Sequence, residues 1–256
     1  MNYNDSADAL AYDAAFWAMA FEDENYDLAA LGDISLELGR KLRAIGILGL
    51  MATGDNSHLH DNLRRSGDYR VQYLQRVFKA KRDDQHHYVW GRLNPVFDIV
   101  ASGDNAQIAS IAQYSPGEFY TNREYLPDYC YANLLSTFSL GPSHAIENDE
   151  LRISSMLEQY EQWLDGETDP RFEICSAIAL SDEAGFLDAF DMLLAQRVDS
   201  IEERRSTDLE DILIATERLI FVEGLALLRI ARQRSFNVDE DFIMCPRSAR
   251  LAPGAN

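Results

Sequence analysis

Cysteine is scarce in this chain, and its few cysteines lie far apart. The 256 residues include three, Cys130, Cys175 and Cys245, and no two of them form a CxxC pair. This count and spacing argue against a disulfide framework and against a zinc site built on cysteine pairs. Three unpaired cysteines are typical of a protein of the reducing cytosol. We therefore expect a cytoplasmic protein that holds neither a metal nor another cofactor.

Long apolar runs are also missing. The two longest, residues 14–21 and 45–52, are too short to span a bilayer. The first run is flanked by acidic residues, whereas a secretory signal needs Lys or Arg beside its apolar stretch. We therefore expect neither export nor a membrane partner.

Positive charge is absent from the first 39 residues, which contain nine Asp and Glu side chains. The whole chain has 23 Lys and Arg against 43 Asp and Glu, a formal net charge of -20. Such a balance disfavours nucleic acid and anionic membranes as the principal ligand and favours a basic partner. Between residues 40 and 92 the local sign reverses, so the acidic segment has two interpretations. It either pairs with the basic region or forms a docking surface.

The common catalytic motifs are missing as well. The sequence contains no GxxxxGK[ST], GxSxG or HExxH motif, and no HxE followed by PCxxC. His58 and His60 have the spacing of a metal-binding HxH pair, but side chains two residues apart on a helix point in different directions. We predict that no metal binds there and that the protein is not an enzyme.

Apolar side chains recur at three- and four-residue intervals along most of the chain, which predicts an all-α fold. Helices are predicted over about residues 6–21, 34–48, 56–84 and 207–235. The last is the most apolar, so we predict antiparallel helical hairpins around a buried C-terminal helix. Gly39, Gly46 and Gly49 lie in the second helix, where each glycine costs about 1 kcal/mol relative to alanine. We expect close packing against a neighbouring helix to offset that cost.

A faint internal repeat predicts stacked helical hairpins. Residues 99–111 can be laid over residues 178–189 if one extra residue is allowed at Gly103. Each copy is typical of a helix end, a cap and a new helix, with caps predicted at Asp104 and at Ser181 or Asp182. Prolines between residues 115 and 145 mark where the chain would divide. Since no polar linker occurs there, we predict a single helical domain over residues 1–256.

Two groups of side chains admit both a structural and a functional interpretation. Glu223 lies on an apolar helix face, which predicts a buried carboxylate paired with an arginine or capping a helix, with a functional acid as the alternative. Five aromatic residues crowd the irregular centre of the chain. They are interface anchors or core residues, and in a helical body we favour the core. These residues are Phe119, Tyr120, Tyr125, Tyr129 and Tyr131.

The last third of the chain resembles the immunity protein 49 family. The residues that carry the resemblance are segment 175–194, the helix around residues 222–232, the acidic triplet 239–241 and the Cys245-Pro246 pair. The resemblance implies an antitoxin of a polymorphic toxin system, acting in interbacterial competition. Such a protein binds a cognate secreted toxin and neutralises it by occlusion, and the family pattern supplies no catalytic residue.

If the partner is a basic toxin domain, the acidic runs at the two ends of the chain are the expected contacts. The residues concerned are Glu22, Asp23, Glu24, Asp27, Asp239, Glu240 and Asp241. Two alternatives stay open. One is a helical-repeat scaffold for an endogenous partner, and the other is an enzyme that acts on a small molecule or a modified protein, with Glu223 or the 239–241 triplet as its acid. A toxin gene beside this one would favour neutralisation, whereas a metabolic operon would favour the enzyme.

Overall fold

A computed structural model of the protein describes residues 3–140, 149–204 and 211–251. Its architecture is built from helices. These residues contain no strand, and one isolated antiparallel bridge joins Phe242 and Cys245. The prediction of an all-α fold is therefore confirmed. The helices are α1 (Tyr3–Ala18), α2 (Leu28–Thr53), α3 (Ser57–Ala80), α4 (Leu93–Ser102), α5 (Asn105–Tyr114), α6 (Leu126–Leu140), α7 (Asp149–Leu164), α8 (Pro170–Leu180), α9 (Glu183–Arg204), α10 (Ile212–Glu217), α11 (Val222–Gln233) and α12 (Arg247–Arg250), with a 3-10 turn at Met19–Phe21. In these ranges, no helix is both long enough and apolar enough to cross a membrane.

The hairpin of α2 and α3 is held together at close range by glycines. A Cβ atom on Gly46 would lie 3.1 Å from Leu59 Cα, and one on Gly49 would lie 2.7 Å from His58 Cβ. A Cβ atom on Gly39 would lie 2.9 Å from Ser66 Oγ of α3. The predicted close packing at these three glycines is confirmed. At Gly46 a larger side chain would meet backbone atoms of α3, whereas at Gly39 and Gly49 it would meet the side chains of Ser66 and His58.

The two copies of the internal repeat have the same local structure. Gly103 (φ 79°) ends α4 and Ser181 (φ 57°) ends α8, both in the left-handed conformation. The next residue then caps the following helix in each copy. Asp104 accepts a hydrogen bond from Gln107 N at 3.1 Å, and Asp182 accepts one from Gly185 N at 3.1 Å. The helix–cap–helix prediction is confirmed, but the extra residue at Gly103 is unnecessary because Gly103 corresponds to Ser181.

The predicted long C-terminal helix is wrong. The chain forms two helices instead, α10 and α11, separated by residues 218–221. The break has a tertiary cause, because Phe221 N donates to Met244 O at 2.9 Å and so leaves the helical pattern. The predicted burial of the C-terminal helix holds for α11, in which Leu227 and Ile230 are fully buried. The predicted start at residue 207 or 208 lies outside the described residues.

Contacts between distant parts of the sequence connect the two ends of the chain. α11 packs against α4 and α6, and α12 returns to the turn between α2 and α3. At that turn, Asn56 Nδ2 donates to the carbonyl oxygens of Ser248 and Leu251 at 3.0 and 2.9 Å. The irregular centre is also attached to the body, since Trp90 Nε1 donates to Pro116 O at 2.9 Å. Pro142, the last of the prolines between residues 115 and 145, lies outside the described residues.

Candidate functional site

A cleft with a volume of about 590 Å³ opens between α2, α4, α8 and the start of α11. We call it the arginine cleft, because five arginines contribute to its wall beside four carboxylates. The charged residues that line it are Arg40, Arg43, Arg92, Arg171, Arg197, Asp98, Asp128, Glu217 and Glu223. The wall is therefore close to charge balance in a protein whose formal net charge is -20.

Glu223 lies in this cleft and is held by two partners. Its side chain accepts hydrogen bonds from Arg171 Nε at 2.7 Å, from Arg171 Nη2 at 2.8 Å and from the Tyr131 hydroxyl at 3.0 Å. Burial is the largest single influence on Arg171 and lowers its pKa, but the charge and hydrogen bonds of Glu223, together with Tyr131 and Tyr160, raise the pKa above its ordinary value. Glu223 is 6% exposed. Such a paired carboxylate has the arrangement expected of a structural group.

A second buried ion pair forms the floor of the cleft and joins three helices. Asp98 on α4 is fully buried and accepts from Arg43 Nε of α2 at 2.7 Å and from Arg43 Nη2 at 2.9 Å. The Ser66 hydroxyl of α3 donates to the same carboxylate at 2.6 Å. Because the two charges satisfy each other, this pair fixes the relative positions of the helices.

The chemistry available to the described residues is limited. Burial raises the pKa of the Cys130 and Cys245 thiols to about 12 and that of Cys175 well above its ordinary value. All three thiols are therefore protonated near neutral pH and are poor nucleophiles. No group of three or more His, Cys, Asp and Glu side chains in residues 3–140, 149–204 and 211–251 is placed to hold a metal ion.

The predicted N-terminal contacts lie in the turn between the 3-10 helix and α2. Asp27 caps α2 by accepting from Ala30 N at 2.9 Å, and the Asp23 carboxylate accepts from Asn25 N at 2.9 Å. Glu22 and Glu24 are exposed beside them. The nearby basic side chain Arg76 donates to the backbone carbonyls of Phe21 and Asp23, not to a carboxylate. The four acids therefore present negative charge to solvent.

The alternative interpretation is that the N-terminal acids pair with the basic region inside the protein. Asp13 and Asp33 do so. Lys41 binds Asp13 at 2.5 Å, and His87 lies 2.8 Å from Asp33. Asp13 precedes the 22–27 turn and connects α1 to α2, whereas Asp33 follows the turn and connects α2 to the segment after α3. The turn itself makes its interactions with backbone groups.

The predicted C-terminal contacts, residues 239–241, interact with neighbouring arginines. Asp239 lies 3.7 Å from Arg232 Nη2, and the Asp241 carboxylate accepts from Arg247 N. Arg250 donates to the backbone carbonyl of Glu240. The triplet therefore combines exposed charge with a role in holding the segment before α12.

The structure does not bring the two acidic runs together. Asp27 marks the beginning of α2, whereas the triplet and α12 adjoin the turn after α2, at Asn56. α2 has 26 residues, and such a helix is about 39 Å long at 1.5 Å per residue. The two runs are thus separate surfaces at opposite ends of the α2–α3 hairpin.

The sequence patterns did not predict an exposed apolar stripe that runs along α1 and into the 3-10 turn at Met19–Phe21. Tyr12, Phe16 and Met19 are 83%, 63% and 60% exposed, while Leu10 and Ala14 form the buried face. The available signal was the one-turn spacing of these three side chains. Of the aromatic residues predicted to lie in the core, Tyr129 and Tyr131 are buried, Phe119 and Tyr120 are half-buried, and Tyr125 is exposed.

The sequence matches the model of a known protein family. The family model described as "Immunity protein 49" matches residues 50–249, which is most of the chain. No curated protein and no solved structure was found to match. α1 and nearly all of α2 precede the matched range.

Proposed function

Because the chain belongs to the immunity protein 49 family, we propose that it binds and neutralises a cognate toxin that bacteria secrete against competitors or kin. The family match over residues 50–249 is the observation that carries this proposal. The protein acts in the cytoplasm, where it meets the toxin that has entered. Its action needs no cofactor and no nucleic acid.

Neutralisation proceeds by occlusion in this proposal: the protein covers the active site of the toxin or the entry path of its substrate. Two features support a binding role. The buried carboxylates of the arginine cleft are paired with arginines, and the three thiols are held protonated. Protection then depends on the area and the complementarity of one interface.

The partner is a basic toxin domain. The protein has a formal net charge of -20, and complementary potentials accelerate the encounter of two proteins. Fast capture matters because a toxin arrives in few copies. The contact surface that we favour contains Glu22, Asp23, Glu24 and Asp27, and the surface around Asp239, Glu240 and Asp241 is the alternative.

A pair of charge reversals distinguishes the two surfaces. The test uses the toxin domain encoded by the neighbouring reading frame, made as an inactive variant for binding measurements and as the active form for growth assays. One variant carries Glu22→Lys and Glu24→Lys. The other carries Asp239→Lys and Glu240→Lys and serves as the matched control with the same change in charge.

We expect the first variant to slow association and to weaken its dependence on salt, because rim charges act mainly on the rate of encounter. The control should associate at the wild-type rate. The reverse result would assign the interface to the C-terminal triplet. If wild-type protein neither binds the toxin nor protects growing cells from it, the immunity function itself is wrong.

A further inference from the structure

α1 has two apolar faces, and the protein covers one of them. Leu10 and Ala14 pack toward α2, whereas Tyr12, Phe16 and Met19 point outward at intervals of four and three residues. We call these three residues the α1 stripe. Tyr12 and Phe16 share one side of α1, and Met19 follows in the 3-10 turn that continues the helix. The three exposed side chains therefore form one apolar strip.

The α1 stripe differs from the other exposed apolar side chains. In the described residues the remaining large ones are at least 12 residues apart in the sequence, for example Leu151 and Trp163 at the two ends of α7 and Met192 on α9. Single exposed side chains are ordinary in soluble proteins, whereas contiguous ones mark interaction sites. Phe16 also packs edge-on against the half-buried Trp17, with ring centroids 5.6 Å apart. This contact restricts the Phe16 ring on one side.

The charges around the stripe identify the occupant. Asp8 lies one turn before Tyr12, and Glu22 follows Met19 by three residues, next to Asp23. Lys41 pairs with Asp13 of α1, and Arg76 donates to the backbone carbonyls of Phe21 and Asp23, so neither cation neutralises Asp8, Glu22 or the Asp23 carboxylate by a direct ion pair. A second copy of this chain would bring two acidic rims together, which is repulsive. A partner with an apolar pocket and a basic rim is complementary to both the strip and its surroundings.

We infer that the α1 stripe is the anchoring surface for the toxin, and that its partner surface is an apolar pocket bordered by Lys and Arg. The inference rests on the proposed function and adds apolar anchors to the acidic surface. α1 lies before residue 50, where the family match begins. The segment that selects this chain's own toxin therefore lies outside the part of the chain that the family model matches.

The test compares two triple variants of the full chain. The first carries Tyr12→Gln, Phe16→Gln and Met19→Gln, since glutamine preserves helix propensity and removes the apolar surface. The matched control carries Leu151→Gln, Trp163→Gln and Met192→Gln, which removes exposed apolar side chains from α7 and α9. Circular dichroism and thermal melting verify that both variants fold. The probe is the inactive toxin domain from the neighbouring reading frame, and sedimentation velocity measures self-association.

We expect the stripe variant to bind the toxin at least about 100-fold more weakly, because a few central apolar anchors dominate the affinity of protein interfaces. The control should stay within about threefold of wild type. Wild-type association should slow as salt is added, as a basic partner requires.

Three results would overturn the inference. Wild-type affinity in the stripe variant would reject the anchoring role and leave the proposed function intact. A wild-type dimer that the stripe variant converts to monomers would make a second copy the occupant. Association that quickens with salt would exclude a basic partner. If wild-type protein does not bind the toxin at all, the proposed function fails, and the anchoring role fails with it.

Discussion

At the scale of single residues, buried ion pairs set the geometry of the arginine cleft. Asp98→Ala would leave the buried Arg43 guanidinium without its carboxylate, and we expect the free energy of unfolding to fall by about 3–5 kcal/mol. Urea denaturation measures this change. Asp61→Ala is the control, because Asp61 pairs with Arg64 at the surface at 3.0 Å and exposed pairs contribute little. Equal losses in the two variants would show that the cleft pair has no special role.

A second residue-scale prediction concerns His60, which is 3% exposed. Burial, followed by the charge of Arg229, lowers the pKa of this imidazole below its ordinary value. In the unfolded chain the pKa returns to about 6.5, so below that pH unfolding takes up a proton that the folded state excludes. The free energy of unfolding is therefore highest above about pH 6.5 as far as His60 is concerned, and it falls as the pH drops below about 6.5 and through the lower folded-state pKa.

The unfolding free energy of the wild type should therefore decrease relative to that of His60→Gln between about pH 7 and pH 5.5. Glutamine carries no charge at either pH, and the other histidines contribute equally to both proteins. Urea unfolding at several pH values measures the difference. A difference that does not change with pH would contradict the buried, neutral state of His60.

At the scale of elements, the glycine contacts hold α2 and α3 at close range. Gly46→Val would place its side chain against Leu59 Cα and His58 O, which are backbone atoms that cannot rotate away. We expect a loss of about 1–3 kcal/mol in the free energy of unfolding. Gly117→Val is the control, since no atom lies within 4 Å of a Cβ at Gly117. If both substitutions are equally harmless, the two helices are not in close contact at this position.

Features of the helices that depend on local sequence could be predicted, and those that depend on distant contacts could not. Apolar periodicity and caps such as Asp104 act within a few residues, so the helices and the repeat were accessible. The break before α11 depends on a hydrogen bond from Phe221 N to Met244 O, which no local pattern contains. Periodicity also cannot decide which of two apolar faces is buried, and the outward direction of Tyr12 and Phe16 was missed for that reason.

At the scale of the whole molecule, the distribution of charge along the sequence identifies candidate contacts but does not predict how they are arranged in space. The acidic runs at residues 22–27 and 239–241 can be read directly from the sequence. Their positions at opposite ends of the α2–α3 hairpin follow from where the segment before α12 attaches, at Asn56. Two surfaces separated by the length of α2 are unsuited to one small partner. Because of this separation, the two acidic runs are alternative contact surfaces and do not form a single one.

The connections between early and late segments predict how the molecule unfolds. Asn56 binds the backbone of Ser248 and Leu251, and Arg171 on α8 binds Glu223 on α11. Because such contacts couple the two halves of the chain, we expect a single unfolding transition with equal calorimetric and van't Hoff enthalpies.

Scanning calorimetry with Asn56→Ala tests this expectation of one domain over residues 1–256. Loss of the two hydrogen bonds to the C-terminal segment should lower the midpoint by a few degrees, since each contributes about 1 kcal/mol, and should leave one peak. Ser110→Ala is the control, because it removes a single exposed hydrogen bond within α5 and should barely shift the midpoint. Two resolved peaks in the wild type, with a protease-sensitive boundary between residues 115 and 145, would instead mean that the chain divides there. The α1 stripe and the C-terminal triplet would then belong to units that unfold independently.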